Sequence, residues 1–191
     1  MSMDRRVRSS FLLVAAARSV FSCAKRVALN RLSKVASIAA AAGAVVVLLP
    51  GTSQAAPAFQ LYNRNGGAKC LEIENSSVSN GARAQSWGCR GQAGAYWYMR
   101  TKSDGTFELV NRNSGKCLEI ENSSKSNGAR AQQWECVGND TQRWYWGRSS
   151  SLVNANSGKC LEFADSSWSN GARAQQWEYA YIDGQSWNQI A

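Results

Sequence analysis

Histidine is absent from all 191 residues. That removes Ser-His-Asp and Cys-His nucleophile chemistry, histidine-ligated zinc and the commonest general base. Acids are scarce too, 13 Asp and Glu against 22 Lys and Arg, for a formal charge of +9. The imbalance is local. Residues 1–55 hold eight basic residues (Arg5, Arg6, Arg8, Arg18, Lys25, Arg26, Arg31, Lys34) and one acid, Asp4. Residues 56–191 hold fourteen basic and twelve acidic residues, a net of only +2, so no nucleic-acid partner is expected there. Tryptophan is missing from the first 86 residues; all eight follow, in a segment rich in Asn, Ser, Gly and Gln. Polar turns with many aromatics point to a β domain that binds something with a flat apolar face.

Val35 to Leu49 is an apolar run with Arg31 and Lys34 just before it, ended by Pro50-Gly51 and followed by Ser53-Gln54-Ala55. This is the secretory pattern of basic region, apolar region and small-residue cleavage site. Fifteen residues are short for a membrane span of about 20. Residues 1–55 are therefore expected to form a signal helix, removed by cleavage after Ala55, leaving a secreted, extracellular chain with no membrane insertion. Phe11 to Val20 forms a second apolar stretch broken by Arg18. Residues 1–26 thus read as an upstream extension, with the true start near Val27. Arg5-Arg6 is not followed cleanly by an apolar run, which weighs against a twin-arginine signal.

What remains is one unit written three times. Residues 109–144 and 152–187 align without a gap and match at 25 of 36 positions. A third copy, residues 61–97, is one residue longer near Gly67-Ala68. Leu-Glu-Ile-Glu at 71–74 and 118–121, and Leu-Glu-Phe at 161–163, alternate as a half-buried strand does. Each is followed by a polar turn ending in Asn-Gly (Asn80-Gly81, Asn127-Gly128, Asn170-Gly171), then a strand around Ala-Arg-Ala-Gln-x-Trp, then a closing Trp. Asn-Gly tolerates positive φ and suits a reversal. Asp104-Gly105 adds a hairpin turn between copies. The expectation is all-β, four short strands per copy in lobes 58–100, 101–147 and 148–191. Three copies are too few for a propeller, and an open solenoid needs atypical end repeats. Closure around a threefold axis, strands in a barrel and hairpins in a cap, leaves no long edge exposed.

Cysteines follow the repeat. Cys70/Cys89 and Cys117/Cys136 lie at equivalent positions, 19 residues apart. A secreted chain can hold both pairs as disulfides. Cys160 faces Tyr179 where a partner would stand, and Cys23 belongs to the leader. Cys160 is therefore expected to have no partner within the chain: a buried free thiol, or an intermolecular bridge.

Three units with Lys-Cys-Leu-Glu, Gln-x-Trp and a closing Gln-x-Trp (Gln142-Arg143-Trp144, Gln185-Ser186-Trp187, degenerate as Ala95-Tyr96-Trp97) resemble the ricin B-type lectin family over about residues 58–190. The resemblance implies a β-trefoil that binds sugar in up to three shallow pockets. It assigns the carboxylates Glu72, Glu119 and Glu162, the stacking residues Trp87, Trp134 and Trp177, and the amides Gln85, Gln132, Gln175, Gln142 and Gln185. The family's usual Asp is Glu here, and Gly94, Thr141 and Gly184 stand where it has Asn. These departures put galactose specificity in question, though not sugar binding as a class. A pyranose offers an apolar face and a rim of hydroxyls, which suit an aromatic plane beside a charged acceptor and amides.

Trp97, Trp144 and Trp187 read as core plugs. Arg83, Arg130 and Arg173 read mainly as solvated or bonded to the turn. No catalytic set, metal cluster or phosphate loop is visible, and equivalent Glu residues in different lobes do not form a glycosidase pair. The chain is therefore expected to be no enzyme, to need no cofactor and to act as a monomeric carbohydrate binder. The competing expectation is a trefoil that binds a protein, as a protease inhibitor or toxin component. Three equivalent open pockets would favour sugar; buried Trp-Gln pairs and one protruding loop would favour the inhibitor.

Overall fold

The computed structural model describes residues 57–191; the expected signal segment and its cleavage site lie outside them. Each lobe contributes four strands. Lobe one holds β1 (Phe59–Asn63), β2 (Lys69–Ile73), β3 (Ala84–Gly88) and β4 (Tyr96–Thr101). Lobe two holds β5 (Phe107–Asn111), β6 (Cys117–Ile120), β7 (Ala131–Trp134) and β8 (Trp144–Trp146). Lobe three holds β9 (Leu152–Asn154), β10 (Cys160–Phe163), β11 (Ala174–Trp177) and β12 (Trp187–Ile190). Helical structure among these residues is confined to single 3-10 turns.

The strands close as the repeat count requires. β1 pairs with β12 and β4, β4 with β5, β5 with β8, and β8 with β9. A bridge between Ser151 and Ser186 ties the start of lobe three's barrel strands to its end. The hairpins β2–β3, β6–β7 and β10–β11 project from this barrel as its cap. All pairings are antiparallel, and β1 meeting β12 joins the two ends of the described chain.

The core repeats in threes. Leu71, Leu118 and Leu161 point inward beside Ile73, Ile120 and Phe163, all fully buried. Trp97, Trp144 and Trp187 fill the space between them, as expected for plugs. Each indole Nε1 donates to a leucine carbonyl, Leu71, Leu118 or Leu161, at 3.0–3.1 Å, so the burial of the ring leaves no polar group unpaired.

The Asn-Gly turns interlock the lobes. Gly81, Gly128 and Gly171 sit at φ between 77° and 82°, the left-handed region that glycine enters at no steric cost. Their amides donate to the Gln133, Gln176 and Ser86 carbonyls of the adjacent lobe. Lobe one thus holds lobe two, lobe two holds lobe three, and lobe three holds lobe one.

Two cysteine pairs form as read, Cys70–Cys89 and Cys117–Cys136. The expectation of a free thiol at Cys160 needs correction: it is fully buried and disulfide-bonded. Tyr179 does stand where lobes one and two have their second cysteine. It packs on Cys160 and Val153.

Candidate functional site

Strand register builds the site. Glu72 lies opposite Gln85, Glu119 opposite Gln132 and Glu162 opposite Gln175. Two residue pairs further along, Trp87, Trp134 and Trp177 lie opposite Cys70, Cys117 and Cys160. Residues two apart on a strand share a face. Carboxylate, amide and indole therefore meet on one side of each hairpin, away from the core leucines.

The indoles are open. Trp87, Trp134 and Trp177 are 39–41% exposed, whereas the three closing tryptophans are sealed. Two of the rim indoles pack against the glycine turn of the previous lobe. The Trp134 ring lies 3.7 Å from where a side chain at Gly81 would begin, and Trp177 3.6 Å from the same point at Gly128. Asn80, Asn127 and Asn170 accept backbone amides at the strand ends, from Glu135, Glu178 and Gly88, at 3.1 Å.

The carboxylates are buried, with only 4–7% of each residue exposed. The alternation in these strands anticipates a half-buried strand, but the polar face is covered as well. The reason is a pair of glutamine amides over each carboxylate. Gln132 Nε2 donates to Glu119 Oε1 and Gln142 Nε2 to Glu119 Oε2, both at 2.9 Å. Gln175 and Gln185 hold Glu162 in the same way at 3.0 and 2.9 Å. Gln142 is itself fixed by donating to the Glu135 carbonyl and accepting from Val137 N–H. Gln185 repeats this with the Glu178 carbonyl and Ala180 N–H.

Lobe one reaches the same end from another residue. Its closing motif has Ala95 in place of glutamine, which anticipates one amide fewer around Glu72. The structure corrects that. Gln92 donates to Glu72 Oε2 and to the Gly88 carbonyl and accepts from Arg90 N–H, while Gln85 holds Oε1 at 2.9 Å. Sequence comparison of the copies misses Gln92 because it aligns with Asn139 and Ile182.

An ionised carboxylate offers about four acceptor sites. Two are used by glutamines, so each carboxylate keeps acceptor capacity for hydroxyls. Lobes two and three show the resulting hollows. One is a cavity of about 220 Å³ between Glu119, Gln132, Trp134, Asn139 and Thr141. The other, about 190 Å³, lies between Glu162, Asp165, Gln175, Trp177 and Ile182. Burial pushes the Glu162 carboxyl up from its ordinary value, against hydrogen bonds from Gln175 and Gln185, and nearby Asp165 adds to the rise. Lobe two has Asn122 where lobe three has Asp165.

The positions before the closing glutamines are filled for structural reasons. Thr141 Oγ1 donates to the Ile120 carbonyl at 2.8 Å. A side chain at Gly94 would meet the Ile73 carbonyl at 2.7 Å, and one at Gly184 would meet Ser166 Oγ at 2.5 Å. Gly94 cannot become an asparagine without moving backbone, and at Gly184 the Ser166 side chain would have to move.

The description ricin-type beta-trefoil lectin domain-like fits the chain in three overlapping matches, residues 45–134, 93–177 and 140–189. Among solved structures, the designed threefold-symmetric protein ThreeFoil is similar at 35% identity with a TM-score of 0.67, over 70% of this chain and 98% of that one. An exo-beta-1,3-galactanase from Clostridium thermocellum is similar at 27% identity and a TM-score of 0.66, over 70% of this chain but only 30% of the enzyme. The Rhizoctonia solani agglutinin, at 16% identity and a TM-score of 0.63 over 72% of this chain and 96% of that one, shares the fold. No curated protein sequence matches the chain.

Proposed function

From the premise that this chain belongs to the ricin-type β-trefoil lectin family, we propose that it is a secreted, non-enzymatic lectin that binds sugars of a polysaccharide or glycoconjugate, as a monomer, through up to three weak pockets. The observation that carries this reading is the threefold repetition of an open indole beside a buried carboxylate held by two amides. The indole plane takes the C–H face of a pyranose, and the remaining carboxylate acceptors take adjacent hydroxyls. Core packing requires neither an open tryptophan nor a buried charge at the same place in every lobe.

Open rim indoles in all three lobes support sugar over a protein partner, for which buried Trp-Gln pairs and one protruding loop were the expectation. The galactanase chain is more than three times as long as the part matched, so its activity is not carried over. The disulfides accord with export.

One stacked ring and a few hydroxyl bonds give about millimolar affinity, roughly 4 kcal/mol per site. Three sites on one rigid body raise retention on a polymer by about 10²-fold where their spacing fits. A glycan array probed with the secreted chain, beside the Glu72→Ala/Glu119→Ala/Glu162→Ala variant, tests the proposal. Binding to defined glycans that the variant loses supports it; an array with no binding, or with binding unaltered in the folded variant, rejects it.

A further inference from the structure

The largest cavity described, about 540 Å³, lies in none of the three pockets. Arg83, Arg130 and Arg173 all line it, one from each lobe, so it sits on the pseudo-threefold axis. The backbone there is a closed ring: Arg83 bridges to Gln132, Arg130 to Gln175, and Arg173 to Gln85. We propose that this axial cavity is a fourth ligand site, which takes the carboxylate of an acidic sugar, a uronate.

Charge selects the ligand class. Glu74 and Glu121 also line the cavity, but the third lobe has Ala164 at that place. Three guanidinium groups face two carboxylates, so one positive charge is in excess and one carboxylate completes the set. Arg130 pairs with Glu121 at 3.0 Å. Among the described residues Arg83 and Arg173 are in no ion pair. Arg173, whose lobe has Ala164 where the others have Glu74 and Glu121, donates to Gln175 Oε1 at 2.6 Å. Arg130 Nε is buried with no hydrogen-bond partner, a donor left over inside the wall of the cavity. Guanidinium groups bind carboxylates in paired hydrogen bonds.

The rest of the lining fits a sugar ring. The volume is in the range of small-ligand sites, and Gln85, Asn122 and Ser124 offer amides and a hydroxyl to ring hydroxyls. No aromatic residue lines it, so a neutral sugar has nothing to stack on and charge supplies the selectivity. No rim tryptophan borders the site; it adjoins the lobe pockets through Gln85, through Asn122, which lines both the axial cavity and the lobe-two hollow, and through the Arg173–Gln175 hydrogen bond.

The test is calorimetric titration of the full chain with methyl glucuronide, methyl glucoside and acetate. The glucuronide should saturate one site that the glucoside does not compete for, at least about tenfold more tightly than acetate, and weaken with added salt. Ala164→Glu supplies the residue that lobes one and two already have there and should lower glucuronide affinity about tenfold or more. Arg173→Gln should do the same and carries the test if the first variant misfolds on thermal unfolding. Neutral-sugar binding should be unaltered in Ala164→Glu, whereas Arg173 also holds Gln175 of the lobe-three pocket. No glucuronide binding, displacement by the glucoside, equal affinity for acetate, or unchanged affinity in the folded variants would each overturn the proposal.

Discussion

Lobe one and lobes two and three hold the same carboxylate with glutamines from different places in the chain. Gln142 and Gln185 reach back from the closing motif; Gln92 reaches from three residues upstream of the equivalent Ala95. The contacts nonetheless correspond one for one, a carboxylate oxygen, a strand-end carbonyl and a loop N–H. A buried carboxylate deprived of a donor is costly, whereas the backbone position from which the amide comes is a matter of loop geometry. The difference teaches that the site is defined by the donor set around Glu72, Glu119 and Glu162, and the linear motif is one way of providing it.

The comparison breaks most visibly if lobe one is degenerate in packing too. Trp97 ends the altered motif but is as deeply buried as Trp144 and makes the same indole bond. Trp97→Ala and Trp144→Ala should each cost about 3–5 kcal/mol in chemical unfolding; a cheap Trp97→Ala would show a looser lobe one.

Disulfide removal sharpens the contrast next. Cys89→Ser and Cys136→Ser, each paired with its partner's replacement, should lose on the order of 3 kcal/mol, since each opens a loop of about 20 residues. The two lobes should respond alike in thermal unfolding.

Gln92→Ala should cost about 1–3 kcal/mol by leaving Glu72 Oε2 short of a donor, and should weaken lobe-one sugar binding. Adding Ala95→Gln to it should recover most of the loss, because that is the position Gln142 and Gln185 use. Failure to recover would mean that Gln92's loop, and not the donor, sets the site.

Much of this was legible in the sequence because the repeat is strong. Strand number, ring closure, the core role of Trp97, Trp144 and Trp187, and two disulfides all follow from equivalent positions. Gln92 was hidden for the same reason: aligning copies looks for the donor at Ala95. The axial arginines were hidden because a copy-by-copy reading treats Arg83, Arg130 and Arg173 as separate surface residues, and only closure brings them to one cavity. Burial of the glutamates escaped alternation rules because the cover comes from loops. Cys160 escaped because its bond is not part of the repeat.

The smallest expected effect concerns acidity in lobe three. Its raised Glu162 carboxyl takes up a proton before an ordinary carboxyl does as pH falls, which removes acceptor capacity. In a Glu72→Ala/Glu119→Ala variant, sugar binding should therefore decline as pH is lowered through that raised value. Stability moves the other way. A carboxyl whose folded pKa is raised favours folding most below its unfolded value, and that contribution is lost as pH rises through the folded one. Parallel pH series of binding, and of unfolding stability relative to Glu162→Gln, should show the two slopes with opposite sign, the reference variant removing the opposing contribution of carboxyls such as Glu108 that are held below their ordinary value.

The central claim, that sugar meets the three open indoles, is tested most directly by NMR of the tryptophan indole N–H signals during titration with an oligosaccharide selected on the array. The account predicts that the signals of Trp87, Trp134 and Trp177 move together and saturably, while those of Trp97, Trp144 and Trp187, bonded to leucine carbonyls in the core, stay in place. Saturable binding that leaves the three rim signals unmoved would contradict it.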